Sequence, residues 1–214
     1  MSKIKPGQVG DFNGKIGQVV ISKWRNLTVG RATPKKSTKT PTAGQLNQRS
    51  AFKLVMKFLK QLKVAVNAGY TKSGNLSPMN VAVQYHLGNA ITGVAPNFAI
   101  DYTKVVLSKG ELFGVYEAAV TGVAGSTMHI NWTIDAIEVE GTTDDDAVFI
   151  VFYSPVTGYS LTNAHVAKRS ALTADVKMPR VFTGNSVHVW LFLVAADGKS
   201  VSNAEYLGLK AVLA

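Results

Sequence analysis

The half of the chain that follows residue 100 is built from short runs in which apolar and polar residues alternate. The runs cover residues 102–107, 115–123, 128–134, 148–153, 159–166, 186–194 and 200–212. Turn sequences, most of them containing glycine, separate most of these runs. Successive side chains of a β-strand point to opposite faces, so this alternation indicates strands with one buried face. About seven such strands within roughly 110 residues are typical of an immunoglobulin-like or fibronectin-III-like sandwich.

The sandwich prediction depends on pattern alone. Within the run 128–134, Trp132 falls in the apolar phase and is predicted to lie in the core. The sequence contains no cysteine, so no disulfide pair marks the two sheets. The same absence excludes a thiol nucleophile and a thiolate metal site.

The first 32 residues predict a small, glycine-rich β-meander. The pair Asn13-Gly14 is a strong hairpin signal, because a type I′ turn needs positive φ at both central residues. The predicted strands cover residues 8–12, 15–22 and 27–32. A meander this short has little core of its own. We therefore expect it to pack on the body of the protein or on another subunit.

A basic linker and a long helix are predicted next. Residues 33–41 (TPKKSTKTP) contain two prolines and four Ser/Thr, which disfavour regular structure. Residues 43–66 predict an amphipathic helix, with Thr42 and Gln45 fitting a capping box at its start. Its apolar residues recur at spacings of three and four and share one face: Phe52, Val55, Leu59, Leu62 and Val66. Four cations share another face: Arg49, Lys53, Lys57 and Lys60.

The sequence of residues 70–100 predicts a loop and one shorter helix. Pro78 opens an apolar pattern with a spacing of four that reaches about residue 90, and residues 93–96 break it. The predicted organisation is thus a basic N-terminal module, 1–100, and a β-sandwich domain, 101–214. The predicted fold class is mainly β with an α-helical segment (α+β).

Charge is distributed very unevenly along the chain. Residues 1–72 hold 15 Lys/Arg and one acid, Asp11, whereas residues 73–214 hold 8 Lys/Arg and 12 Asp/Glu. The two parts therefore carry +14 and −4, which gives the net charge of +10. Such asymmetry favours a nucleic acid, an acidic surface or the acidic body of a neighbouring copy as partner.

No motif in the sequence assembles an active site. Residues 10–16 resemble a phosphate-binding loop, but one residue is missing between the glycines and Ile16 stands where a Ser or Thr must bind magnesium. The four histidines are dispersed without a metal-ligand spacing, and no nucleophile elbow or paired-carboxylate signature is present. The acids that precede the run 148–153 suit calcium or, more commonly, a solvated loop at a strand end. We expect no enzyme, no cofactor and no metal.

Hydropathy gives an expectation about location. The first residues lack an apolar run of signal-peptide length, and no stretch reaches the roughly 20 apolar residues that cross a bilayer. We expect a soluble protein made in the cytoplasm with no membrane partner, and release without a signal peptide stays open.

Four ordered motifs carry a resemblance to a known family. They are KPGQVGDFNGKIGQVV (5–20), WRNLTVGRATP (24–34), PTAGQLNQRSAF (41–52) and VSNAEYLG (201–208). The chain resembles an uncharacterised domain-of-unknown-function family of Bacteroidota and their mobile elements. The resemblance implies a glycine-rich N-terminal segment, a helix and a β-sandwich, with no catalytic residue to transfer. Many members have Pro-Arg-Thr before the helix, where this chain has Thr40-Pro41-Thr42. The third motif is also similar to pieces of small phage structural proteins, which favours an assembly role.

The leading functional hypothesis is a non-enzymatic structural protein. Its N-terminal strands and linker would dock on the acidic body of a neighbouring copy by adding strands to an open sheet edge. Head-to-tail contacts of this kind build rings, filaments or phage-like particles. The expected contacts are Lys35, Lys36, Arg49, Lys53 and Lys57 on one side and Asp144, Asp145 and Asp146 on the other.

The alternative is a nucleic-acid-binding accessory protein. Lys23, Trp24 and Arg25 place an aromatic ring between two cations, which suits stacking on a base. The linker lysines and the cationic helix face, Lys60 included, would neutralise phosphates, and binding would weaken as salt rises.

Overall fold

A computed structural model describes residues 2–4, 13–24, 27–35, 38–70, 76–134 and 141–214 of the chain, with the backbone alone for residues 2–4 and 24. The chain divides into two compact units, which we call the N-terminal unit (Met1–Thr42) and the C-terminal unit (Ala43–Ala214). The predicted boundary at residue 100 falls inside the C-terminal unit. The reason is that the helices and the sandwich share one hydrophobic core.

The N-terminal unit is a four-stranded antiparallel sheet with the order β1-β4-β3-β2. Its strands are β1 (Ser2–Ile4), β2 (Gly14–Ile16), β3 (Val19–Trp24) and β4 (Leu27–Ala32). Both edge strands are only three residues long. The predicted third strand is confirmed, whereas the predicted strand 8–12 lies outside the described residues.

The predicted turn at Asn13-Gly14 was wrong. Gly14 is the first residue of β2 and pairs with Ile21, whereas the hairpin turns at Gly17, between the paired residues Ile16 and Val19. Gly17 adopts a φ of +55°, in the left-handed region that glycine enters without a steric cost.

The C-terminal unit begins with three helices in the part that the structure describes. They are α1 (Ala43–Gln61), α2 (Lys63–Gly69) and α3 (Pro78–Asn89). The predicted single helix 43–66 is therefore two helices, because the backbone tightens at Leu62, whose N–H donates to the carbonyl of Leu59 (3.1 Å). The predicted helix from Pro78 is confirmed, and the Ser77 hydroxyl caps it by accepting the N–H of Asn80 (3.3 Å). None of the helices in the described part of the chain is long and apolar enough to span a bilayer.

The apolar face of α1 is rotated relative to its prediction. Val55, Leu59 and Leu62 are fully buried as expected, but Phe52 is 46% exposed. Phe58 is buried in its place, because the helix presents the side that contains Phe58 to the sheet.

Nine strands follow the helices within residues 90–134 and 141–214. A hairpin of β5 (Ile91–Val94) and β6 (Asn97–Ile100) comes first, where only a break was predicted. The sandwich strands are β7 (Tyr116–Val123), β8 (Thr127–Thr133), β9 (Ala147–Tyr153), β10 (Ser160–Lys168), β11 (Thr173–Lys177), β12 (Ser186–Val194) and β13 (Glu205–Ala211).

These seven strands form a fibronectin-III-like sandwich, and the predicted fold class is confirmed. One sheet has the order β10-β9-β12-β13 and the other the order β11-β8-β7, with every pairing antiparallel. Six predicted runs correspond to strands. The run 102–107 does not, since Tyr102–Lys104 form a turn of 3₁₀ helix, and β11 was not predicted.

The two central strands of the larger sheet, β9 and β12, are buried on both faces. Val148, Ile150 and Phe152 of β9 belong to the core between the two sheets. Phe149 and Val151 of the same strand point the other way, into the core that the helices cover. The C-terminal unit therefore has three layers, with the helices on the outside of the larger sheet.

The helices meet the segment that leads into the sandwich at Gly69, the last residue of α2. Its carbonyl accepts the N–H of Lys109 (3.0 Å) and the hydroxyl of Ser108 (3.2 Å). The Ser108 hydroxyl also donates to the carbonyl of Ser202 (2.6 Å), so one buried residue ties three segments together. A Cβ at Gly69 would overlap the Leu107 carbonyl and the Ser108 backbone.

We expect Gly69→Ala to lower the free energy of unfolding by about 1–3 kcal/mol, because backbone atoms would have to move. Gly88→Ala is the matched control: Gly88 also lies in a helix and has open space around its Cβ position, so that variant should be more stable by about 0.5–1 kcal/mol. Urea unfolding followed by tryptophan fluorescence measures both. Equal effects of the two substitutions would contradict the packing described at Gly69.

Candidate functional site

The cations predicted on α1 form one exposed surface. We call Arg49, Lys53, Lys57 and Lys60 the basic helix face. All four side chains are exposed and lie opposite the buried residues Val55, Phe58 and Leu62. None of the four makes an ion pair with any residue that the structure describes.

The other predicted cations belong to the N-terminal unit. Lys23 is exposed near the end of β3, and Asn13 accepts its backbone N–H (3.1 Å). Lys35 is exposed in the linker. Trp24 is the last residue of β3, and no side-chain position is described for it. Arg25 and Lys36 lie outside the described residues.

The predicted acidic patch is divided between three different environments. Asp144 is exposed, and its carboxylate has no ion pair among the described residues. Asp145 pairs with Lys168 across 2.7 Å at the surface. Asp146 is fully buried, so the expectation that it meets a partner is wrong.

Asp146 instead holds three loops together. Its carboxylate accepts the N–H (3.0 Å) and hydroxyl (2.8 Å) of Thr143 and the N–H of Ala196 (3.2 Å). The buried guanidinium of Arg169 lies 3.9 Å away, with its Nη1 making no hydrogen bond in the described part of the chain. A buried charge of this kind needs a partner, and Asp146 supplies it.

The histidines are not brought together. His86 is fully buried, with Nδ1 placed 2.7 Å from the Ala82 carbonyl and Nε2 accepting the N–H of Val106 (3.3 Å). His129 contacts Asp175 on the neighbouring strand (2.7 Å), a cross-strand carboxylate that sequence spacing does not reveal. Among the described residues, no three of His, Cys, Asp or Glu lie close enough to hold a metal ion.

A cluster of aromatic side chains surrounds His188, and the sequence did not indicate it. The ring of Tyr102 stacks on the imidazole with 3.8 Å between centroids, and the Tyr206 hydroxyl lies 2.7 Å from Nδ1. Tyr153 and Trp190 complete the cluster. Burial lowers the pKa of His188 and raises that of Tyr102 to about 12. Both rings are therefore neutral at pH 7 and pack as part of the core.

An open groove lies where the segment before β7 passes β13. It encloses about 430 Å³ and is lined by Glu111, Phe113, Asn203 and Glu205, among others. Burial raises the pKa of Glu205. This groove gives the sandwich a second acidic surface, separate from Asp144.

Comparisons with known proteins place the chain as follows. A family model described as "Family of unknown function (DUF6266)" matches residues 11–208. No curated protein matches the chain. Two solved structures are similar to about half of it. One is a fibronectin type III domain of human collagen alpha-1(XX) chain, with 11% identity, a TM-score of 0.35, and coverage of 50% of this chain and 89% of that one. The other is a computer-based redesign of a β-sandwich protein, with 12% identity, a TM-score of 0.33, and coverage of 49% and 95%. Neither carries an argument about function.

We expect Asp146→Ala to lower the free energy of unfolding by about 3 kcal/mol, because Arg169 would be left buried without its partner. Asp144→Ala removes the same group from the exposed position two residues away, and should change stability by less than about 0.5 kcal/mol. Thermal or urea unfolding measures the free energy of unfolding of both variants. If Asp144→Ala lowered the free energy of unfolding as much as Asp146→Ala, the structural role assigned to Asp146 would be contradicted.

Stability should also depend on pH through His86. Burial lowers the pKa of His86 below the ordinary histidine value of about 6.5, so the unfolded chain takes up the proton first as the pH falls. The free energy of unfolding should therefore be undiminished above the unfolded pKa and decrease as the pH drops below it. His188, with a pKa lowered by burial, adds to the same trend.

The measurement is urea unfolding between pH 8 and pH 5 for the wild type and for His86→Gln. The substitution destabilises the protein at every pH, so each curve is referred to its own value at pH 8, where the imidazole is neutral. The variant should show a shallower decrease toward pH 5. Parallel curves would show that His86 does not contribute.

Proposed function

We propose that this chain, which belongs to the DUF6266 family of unknown function, is a non-enzymatic structural protein that assembles with further copies of itself through its N-terminal unit. The observation that carries the proposal is the near absence of a core in that unit. Among its described residues, Ile21 is the only buried hydrophobic side chain.

The N-terminal sheet is too small to be stable by itself. A short sheet needs a hydrophobic face packed on something else, and conformational entropy opposes ordering of every residue in it. Strand register places Ile16 directly opposite Val19 on one face, where they remain 49% and 45% exposed. This apolar row is suited to packing on an apolar surface outside the sheet.

The favoured occupant of that surface is a second copy of this chain. The N-terminal unit carries nine Lys/Arg against one acid, Asp11. The part of the chain from residue 73 onward carries four more acids than cations. Opposite charge on two parts of one chain steers head-to-tail association and disfavours contact between like parts.

Two surfaces of the sandwich that carry acids are candidates to receive the N-terminal unit. One is centred on the exposed Asp144. The other is the groove lined by Glu111 and Glu205, which lies beside β13, one of the two edge strands of the larger sheet. An edge strand has unpaired backbone groups that can accept a further strand, so the groove is the better candidate.

A dimer formed by contact between two different surfaces still has one surface of each kind unoccupied. The dimer thus retains one unused N-terminal unit and one unused sandwich edge, so association continues into a ring or a filament. This is the structural basis for proposing a particle or filament subunit.

Light scattering on a sizing column tests the proposal with the full chain. The wild type should elute above the 22.9 kDa of a single chain. The double variant Ile16→Lys/Val19→Glu should elute as a single chain, because a charge pair then replaces the apolar row. A wild type that stays at 22.9 kDa at high concentration would overturn the proposal.

The control is Val156→Glu, which changes an equally apolar side chain that is 77% exposed in the loop between β9 and β10. That variant should assemble like the wild type. If it dissociates as well, the mass reflects general apolar association and the N-terminal unit is not the contact. Glu205→Lys and Asp144→Lys then separate the two receiving surfaces, since only the true one should reduce the particle mass.

A further inference from the structure

The helical layer of the C-terminal unit has cations and no acids. Between Asp11 and Asp101 the sequence contains no Asp or Glu, and α1, α2 and α3 lie entirely within that interval. Exposed lysines on helices are commonly accompanied by acids three or four residues away, which neutralise their field. Here that neutralisation is absent, so the charge of the basic helix face extends into solvent.

The geometry of the basic helix face suits a row of phosphates. Arg49 and Lys60 are eleven residues apart, which is roughly 16 Å along a helix that rises about 1.5 Å per residue. Lys53 and Lys57 lie between them on the same side. A strand of duplex DNA carries one phosphate per about 3.4 Å of axis, so four cations can each meet a phosphate over this length.

The start of α1 gives the face room to approach a large partner. Residues 43–49 are all exposed, so the first two turns project from the helical layer.

The composition of the face favours nucleic acid over an acidic protein. Protein interfaces are depleted in lysine and concentrate apolar and aromatic residues at their centres. Three of the four cations here are lysines, and the one exposed apolar side chain in phase with them, Leu46, lies at the N-terminal end of the row. Phosphate neutralisation needs only clustered, unpaired cations.

From these observations we infer that the basic helix face binds the phosphate backbone of duplex DNA without reading its sequence. This inference does not depend on self-assembly, because the N-terminal unit and the basic helix face share no residue. Four phosphate contacts release counterions, which gives a slope of about −3.6 for the logarithm of the association constant against the logarithm of salt concentration.

The experiment is fluorescence anisotropy of the full chain with a labelled mixed-sequence duplex of about 20 base pairs, in about 50 to 200 mM KCl. The wild type should bind, and its affinity should fall about 100-fold over this range. The variant Lys53→Gln/Lys57→Gln should bind at least tenfold more weakly at about 100 mM salt, with a slope shallower by about two units. A wild type that does not bind at the lowest salt would overturn the inference.

The matched control is Lys104→Gln/Lys199→Gln, which removes the same two charges from exposed lysines that lie beside Asp101 and Asp197. It should bind DNA like the wild type. Equal losses in both double variants would show that net charge alone attracts DNA, which would overturn the assignment to α1. Arg49→Gln/Lys60→Gln is a second variant of the same face, and it keeps the test decisive if the first does not fold.

The assembly-deficient variant Ile16→Lys/Val19→Glu separates the two proposals. It should keep the salt slope of the wild type when binding is counted per chain. Binding of an acidic peptide such as polyglutamate by the wild type, with no binding of DNA, would overturn the inference in favour of an acidic protein partner.

Discussion

The central constraint on the C-terminal unit is that two strands of one sheet are buried from both sides. β9 reads as AVFIVFY without alternation, and β12 is buried from Val187 to Val194. A two-sheet sandwich covers only one face of each sheet, so these strands would expose Phe149, Trp190 and Phe192 to water if the helices were absent. Burial of such side chains contributes about 1.5–3 kcal/mol each. The helical layer is therefore an obligatory part of the fold, and the close contacts at Gly69 and His86 are where it is attached.

The charges of the unit divide along the same layers. On the sandwich side most carboxylates are already engaged within the chain: Asp146 with three loops, Asp145 with Lys168, and Asp175 with His129. The helices α1, α2 and α3 themselves contain no Asp or Glu. The cations of α1 keep their full outward charge.

The predicted apolar runs, bounded by turn residues, located six of the seven sandwich strands, although β9 and β12 are buried on both faces and do not alternate. β11 was missed since TADVK is too short and too polar to stand out. The strand predicted over residues 102–107 was wrong, because Val105 and Leu107 are buried by the helices in an irregular segment. The roles of Asp146 and Glu205 depend on contacts between distant loops, which no local spacing records. The cationic face of α1 was predictable, since a helix fixes the relative direction of its own side chains.

The rotation of α1 about its own axis has a consequence for how this sequence can diverge. Its inner side fills the core and its outer side carries the cations, and successive residues differ in direction by about 100°. Insertion or deletion of one residue within Ala43–Gln61 would turn the cations toward the sheet or the core residues toward water. We therefore expect relatives to conserve the length of this helix strictly while the linker before it varies in length. In an alignment of the family, insertions and deletions would then fall in the loops. The rotational position of the cations relative to the core residues of α1 would stay constant.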